Sequence, residues 1–148
     1  MKNAVLFGFL MFALQSAGAS KATSTDAGKL TGEPCSGAQL VGTWRLVEVN
    51  GDKRADRTVL KHITPTHFVI LSADPKGAVS YSHSGPYTLA GGNYTESIKY
   101  GFGAPFETIR GKSFTFKCSI AGGRLRTVGE INGQVDDETW TREPAGQK

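Results

Sequence analysis

Apolar and polar residues alternate with a period of two along most of this chain, in short runs closed by glycine, asparagine or proline. In Ser113 to Ile120, Phe114, Phe116, Cys118 and Ile120 share one face, while Ser113, Thr115, Lys117 and Ser119 share the other. The stretch Leu40 to Val49 mixes β-branched residues with Trp44 and ends in Asn50-Gly51-Asp52, which predicts a first strand and a tight turn. Further extended runs are predicted at Thr58 to Ile63, Thr66 to Ser72, Val79 to Ser82, Tyr87 to Ala90, Tyr94 to Tyr100, Phe106 to Arg110, Ser113 to Ile120, Leu125 to Ile131 and Glu138 to Arg142. Between them stand turn residues such as Gly91-Gly92-Asn93, Gly122-Gly123 and Asn132-Gly133. Even spacing and short connections predict an all-β fold: a single up-and-down antiparallel β-barrel of about eight to ten strands, closed so that no long edge stays exposed.

Length and the termini set the domain plan. With 148 residues, 39% of them apolar, the chain can bury one core. Lys2, the apolar run Ala4 to Leu14 and the small residues Ala17-Gly18-Ala19 form the three regions of a signal peptide, and the run is too short for a membrane span. The expected plan is a signal peptide at 1–19, a flexible leader at 20–37, a barrel at 38–143 and a tail at 144–148. This makes the protein an exported one, periplasmic or secreted. Arg45, Lys61, Arg126 and the other basic residues are interleaved with acids and apolar positions, so they read as a solvated surface and not as a nucleic-acid stripe. Cys35 and Cys118, in an exported chain, are read as a disulfide spanning 83 positions; the alternative is two thiols with Cys118 packed in the core.

Candidate chemistry centres on Tyr94 to Tyr100, where alternation puts Glu96 on one face with Tyr94, Ile98 and Tyr100. A carboxyl on an inward aromatic face needs a hydrogen-bond partner, a charge partner or a proton. Glu96 could orient a polar ligand group, act as a general acid or base, or serve a structural network. His67 shares a face with Val69 and Leu71 and is either a cavity residue or a satisfied core imidazole, while His83 between two serines reads as a loop residue. His62 and His67 could be completed as a zinc site only by His83, Glu96 or Glu107, with no helical His-x-x-x-His or cysteine pair to fix the geometry, so no metal is assigned. No nucleophile elbow or dinucleotide loop is present, and no cofactor is implied.

Lys61-His62-Ile63-Thr64-Pro65-Thr66-His67-Phe68, Gly85-Pro86-Tyr87-Thr88, Tyr94-Thr95-Glu96 and Glu138-Thr139-Trp140-Thr141-Arg142, with the opening Gly42-Thr43-Trp44, resemble a family of exported bacterial lipocalin-like proteins. The resemblance runs from about Leu40 to Arg142 and implies a calycin-type barrel in which Arg142 packs across Trp44 as a structural pair. The chain departs from the wider lipocalin group in lacking its other signature regions and room for a C-terminal helix. Fold transfers on such a likeness; function does not.

Three readings follow for function. The first is an exported barrel that binds a small, mostly apolar or amphipathic molecule in its interior or mouth, lined by Tyr87, Tyr94, Glu96, Tyr100, Phe114, Phe116 and His67. The second is a small proton-transfer isomerase or lyase using Glu96 and His67. The third is an envelope interaction or inhibitor protein with a filled barrel. Binding ranks ahead of catalysis, and the ligand and oligomeric state are left open.

Overall fold

The computed structural model describes residues 32–144. The expected signal peptide, residues 20–31 of the expected leader and residues 145–148 of the tail lie outside that range.

The elements in chain order are β1 (Glu33–Pro34), α1 (Gly37–Leu40), β2 (Gly42–Val49), β3 (Asp52–Lys53), β4 (Thr58–Ile63), β5 (His67–Ala73), β6 (Val79–Ala90), β7 (Asn93–Ser97), β8 (Tyr100–Phe102), α2 (Ala104–Ile109), β9 (Ser113–Ala121), β10 (Arg124–Ile131) and β11 (Gln134–Arg142). Eight of the strands form a continuous antiparallel path, β9-β10-β11-β2-β4-β5-β6-β7, and β7 pairs back with β9 to close the barrel. The remaining three, β1, β3 and β8, pair with β9, β2 and β6. Tight turns join neighbours as expected. Asn50-Gly51 and Asn132-Gly133 both take positive φ at successive residues, the geometry whose twist matches a hairpin.

Three local expectations fail, each for an identifiable reason. Val79 to Ala90 is one strand and not two, because Gly85 and Pro86 sit where β6 changes partners. Ser82–Ser84 pair with β8, and Tyr87–Ala90 pair with β7. A Cβ at Gly85 would collide with the Ser97 carbonyl, so the glycine lets the chain leaving β7 pass close by. Tyr94 to Tyr100 is correspondingly split after Ser97. Phe106 to Arg110 belongs to a helix: Pro105 sits in its first turn, Phe106 and Ile109 are buried at i,i+3 spacing, and Gly111 follows with positive φ.

The expected leader is also ordered at its end. Glu33 and Pro34 pair with Ile120 and Ser119, and Cys35 forms a disulfide with Cys118 across a Cα separation of 5.6 Å. Closing a loop of 83 positions stabilises by about 4.5 kcal/mol in the chain-entropy model.

The interior is divided along the barrel axis. At the end where β2 begins and β11 finishes, Leu40, Trp44, Ile63, Phe68, Leu125 and Trp140 are fully buried. Trp44 donates its indole N–H to the Leu40 carbonyl at 2.8 Å, and the Arg142 guanidinium lies 4.1 Å from the centre of the Trp44 ring. Arg142 also donates to the carbonyls of Val41 and Gln39, the last residues before β2. Gly42 has to be glycine here: its φ is +143° and a Cβ would run into Arg142 Nη1. The Gly-x-Trp and the distant Arg are therefore one device, a plug. Toward the opposite end the interior becomes polar.

Candidate functional site

The polar half is built by alternation on four strands. Strand β4 points Val59, Lys61 and Ile63 inward; β7 points Tyr94 and Glu96; β10 points Leu125 and Thr127; β11 points Asp136, Glu138 and Trp140. Lys61 Nζ lies 3.0 Å from Glu96 Oε1 and 3.7 Å from Glu138 Oε2, with Lys61 only 1% exposed and Glu96 3%. The ammonium also sits over Trp140 at 4.5 Å and near the faces of Tyr94 and Phe116 at 5.6 and 6.0 Å. Desolvated cation–π contacts of this kind contribute about 2 kcal/mol. Glu138 Oε2 accepts from Thr127 Oγ1 at 3.2 Å and from Trp140 Nε1 at 3.1 Å.

Burial and charge set the proton affinities. Burial alone would lower the Lys61 pKa, but the nearby Glu96 and Glu138 carboxyls outweigh it and raise it. Burial, offset by Lys61 and reinforced by Asp136 and Glu96, holds the Glu138 carboxyl up at about 7. Asp136 is raised as well, again chiefly by burial. Burial pushes His83 down to about 4, so its imidazole is neutral. Tyr94 is raised well above its usual value by burial, with Glu96 adding to it.

The mouth opens beside this cluster. A partly enclosed cavity of about 220 Å³ is lined by Tyr81, His83, Glu96, Ile98, Pro105, Thr108, Ile109, Phe114, Ile131 and Asn132. Its walls come from β6, β7, β9 and β10, and α2 lies across it through Pro105, Thr108 and Ile109. The volume is below the roughly 300 to 1,000 Å³ of sites for drug-sized ligands, yet above the about 150 Å³ that accommodates benzene. His83 Nδ1 and Glu96 Oε1 are buried without a hydrogen-bond partner, as is the hydroxyl of Tyr94. Glu96 Oε1 is the atom that forms the ion pair with Lys61. A second hollow of about 210 Å³, with Arg45, Arg54 and Arg57 on its rim, lies outside the interior. Its arginines are about half exposed and face Glu143 and Asp56, so it is a solvated groove.

The residues expected to line a ligand site are sorted by the structure. Glu96 and Phe114 line the cavity. Tyr94 and Phe116 lie buried around Lys61. Tyr87 packs against Tyr94 at 5.1 Å and donates its hydroxyl to the Thr64 carbonyl. His67 faces outward, because Phe68, Ile70 and Ser72 are the inward set on β5, and its ring contacts the Thr66 hydroxyl. It therefore does not meet Glu96. Tyr100, on the separate strand β8, is 68% exposed.

Several interior residues escaped the sequence reading. Lys61 is no surface charge, and its position two residues from both Val59 and Ile63 was the available signal. His83 is a buried strand residue and not a loop one; its ring stacks edge-on against Phe68 at 5.7 Å. Glu138 and Asp136 share the face of Trp140 at spacing two, a pattern visible in the chain but masked by the run of acids.

No family model matches the sequence. No curated protein matches it. Among solved structures the chain is similar to a lipocalin-like protein from Bacteroides uniformis, with 17% identity, a TM-score of 0.52, and coverage of 71% of this chain and 99% of that one. It is also similar to an uncharacterized protein from Bacteroides eggerthii, with 14% identity, a TM-score of 0.51, and coverage of 70% and 98%. Likeness at these identities establishes the fold. The closed eight-strand path and these neighbours together define a lipocalin-like β-barrel. No helix among the described residues is long and apolar enough to cross a membrane.

Proposed function

We propose that the protein is an exported lipocalin-like barrel that binds a small molecule in its mouth, with Glu96 and His83 at the polar end of the site and Phe114, Ile98, Ile109 and Ile131 as its apolar walls. The observation that carries this reading is the 220 Å³ cavity, because its lining includes the ion-paired Glu96 and His83, whose buried Nδ1 has no hydrogen-bond partner. Mostly apolar walls with a few convergent polar groups are the general make-up of a ligand pocket. At the plug end the fully buried Leu40, Trp44, Ile63, Phe68, Leu125 and Trp140 fill the interior, so the proposed ligand occupies the mouth and does not thread through the barrel.

Stability alone gives no reason for the polar cluster. A buried ion pair is often matched or surpassed by apolar residues of the same volume, so its presence in a small barrel fits a site that must handle polarity. Catalysis by Glu96 with His67 is not favoured, since His67 stands on the outer wall.

The test is native mass spectrometry of the full chain expressed with its leader and purified from the envelope. A co-purifying small molecule is expected, and it should be lost on replacing Phe114 with Trp, which narrows the mouth. A molecule retained in that variant would place the site elsewhere, and no bound molecule under any purification would count against the binding reading.

A further inference from the structure

Three inward carboxyl groups, Glu96, Glu138 and Asp136, face a single inward ammonium, Lys61. Among the described residues, the other inward group able to carry positive charge is His83, and burial keeps it neutral. Arg54 acts on Asp136 from outside the cluster. The polar half of the barrel thus holds an excess of acid, and the cavity meets that excess at Glu96. Independently of charge, His83, buried and lining the same space as Glu96, has its Nδ1 without a hydrogen-bond partner.

We propose that the mouth cavity takes a small organic ammonium ion with an apolar body, its charged head directed at Glu96 and its body between Phe114, Ile98, Ile109 and Ile131. The assignment rests on the binding reading above and names the ligand class for that site. The head group would supply the second cation that the acid cluster lacks. Tyr81 and Phe114 line the cavity and are the aromatic side chains within it able to attract such a head group. A metal ion is a poorer fit, because hard cations require oxygen ligands on all sides and most of this wall is carbon. An anionic amphiphile fits worst: Lys61 already faces two carboxyls and has no charge to spare.

Proton linkage follows. The groups facing Glu138 are Lys61 on β4, Glu96 on β7 and Asp136 on β11, with Thr127 on β10 as a hydrogen-bond donor. A cation entering beside Glu96 favours the ionised form of Glu138, so binding releases a proton and tightens as pH rises through about 7.

The experiment is calorimetric titration of the full chain with benzylammonium, benzyl alcohol and benzoate, three probes of one shape and three charges. Benzylammonium is expected to bind at least about tenfold more tightly than the alcohol, with benzoate weakest. Its affinity should rise between about pH 6 and about pH 8 while that of the alcohol stays flat. Replacing Glu96 with Gln should remove about tenfold of the ammonium affinity and leave the alcohol unchanged; if that variant does not fold, the pH response of the unaltered chain decides. Benzoate or the alcohol binding as tightly as benzylammonium would overturn the charge assignment while leaving a functional pocket. Absence of heat and of displacement for all three probes would overturn the pocket itself.

Discussion

The two ends of this barrel solve the same problem of filling an interior in opposite ways. At the plug end, Trp44, Phe68, Ile63 and Leu40 are fully buried and Trp44 has its indole N–H satisfied by a carbonyl. At the mouth, a lysine and acidic groups are buried together, a cavity remains, and His83 Nδ1 and the Tyr94 hydroxyl have no hydrogen-bond partner. The first arrangement is what a fold needs to close. The second costs desolvation free energy that packing alone would not require, and this is the ground for proposing that function resides there.

Trp44→Ala should give the largest effect, about 3 to 5 kcal/mol of lost stability as a large-to-small change in a dry core. Binding of a mouth ligand should survive in whatever fraction stays folded. A thermal melt with an unchanged midpoint would remove the plug from the account.

Lys61→Met probes the other end and should cost a similar about 3 to 5 kcal/mol near neutral pH, because two carboxyls are left buried without their cation. Unlike the Trp44 change, this cost should shrink as the carboxyls take up protons in acid. Denaturant melts of both variants across pH distinguish the ends: parallel profiles would dissolve the contrast.

Titration sharpens the contrast further. The folded chain raises Glu138 from 4.5 to about 7, so its contribution is full below about pH 4.5 and is lost as pH rises through 7. His83, lowered from 6.5 to about 4, works the other way: its contribution is present above about 6.5 and is lost as pH falls through 4. The slopes oppose each other, so these two groups together should add little net pH dependence between about pH 4.5 and 6.5. Glu138→Gln should expose the His83 slope, a gain on the order of 3 kcal/mol as pH rises across that window. A flat profile in the variant would show that the mouth groups do not titrate as their burial implies.

The smallest effect is expected at the rim of the plug. Arg142→Ala should cost about 1 to 2 kcal/mol through lost stacking on Trp44 and lost donation to the chain before β2. Gly42→Ala should act on the same contact, since its Cβ would displace the guanidinium. A double-mutant cycle showing additive costs would mean that the two positions are not one device.

The plug was legible in the sequence because its parts are conspicuous types at strand positions, a glycine, a tryptophan and an arginine. The barrel was legible through period-two alternation and turn residues. The mouth was only partly so. Glu96 stands out among tyrosines, but Lys61 and Asp136 look like ordinary surface charges until strand pairing fixes which face they occupy. His67 misled for the same reason: its alternation with Val69 and Leu71 was read correctly, yet that apolar-looking face is the outer one, with Val69 40% exposed. Alternation identifies two faces, and only closure of the sheet says which is inside. The helix α2 was missed because a single turn of i,i+3 spacing in a chain of strands is short enough to pass for an extended run.

The claim that function resides at the mouth is most directly tested by mapping methyl chemical-shift changes in the full chain against a set of small aromatic ammonium fragments. The account predicts shifts at Ile98, Ile109 and Ile131 with Ile63 and Leu40 silent. Shifts centred on Ile63 and Leu40, or on outward residues such as Val69 and Val135, would contradict it.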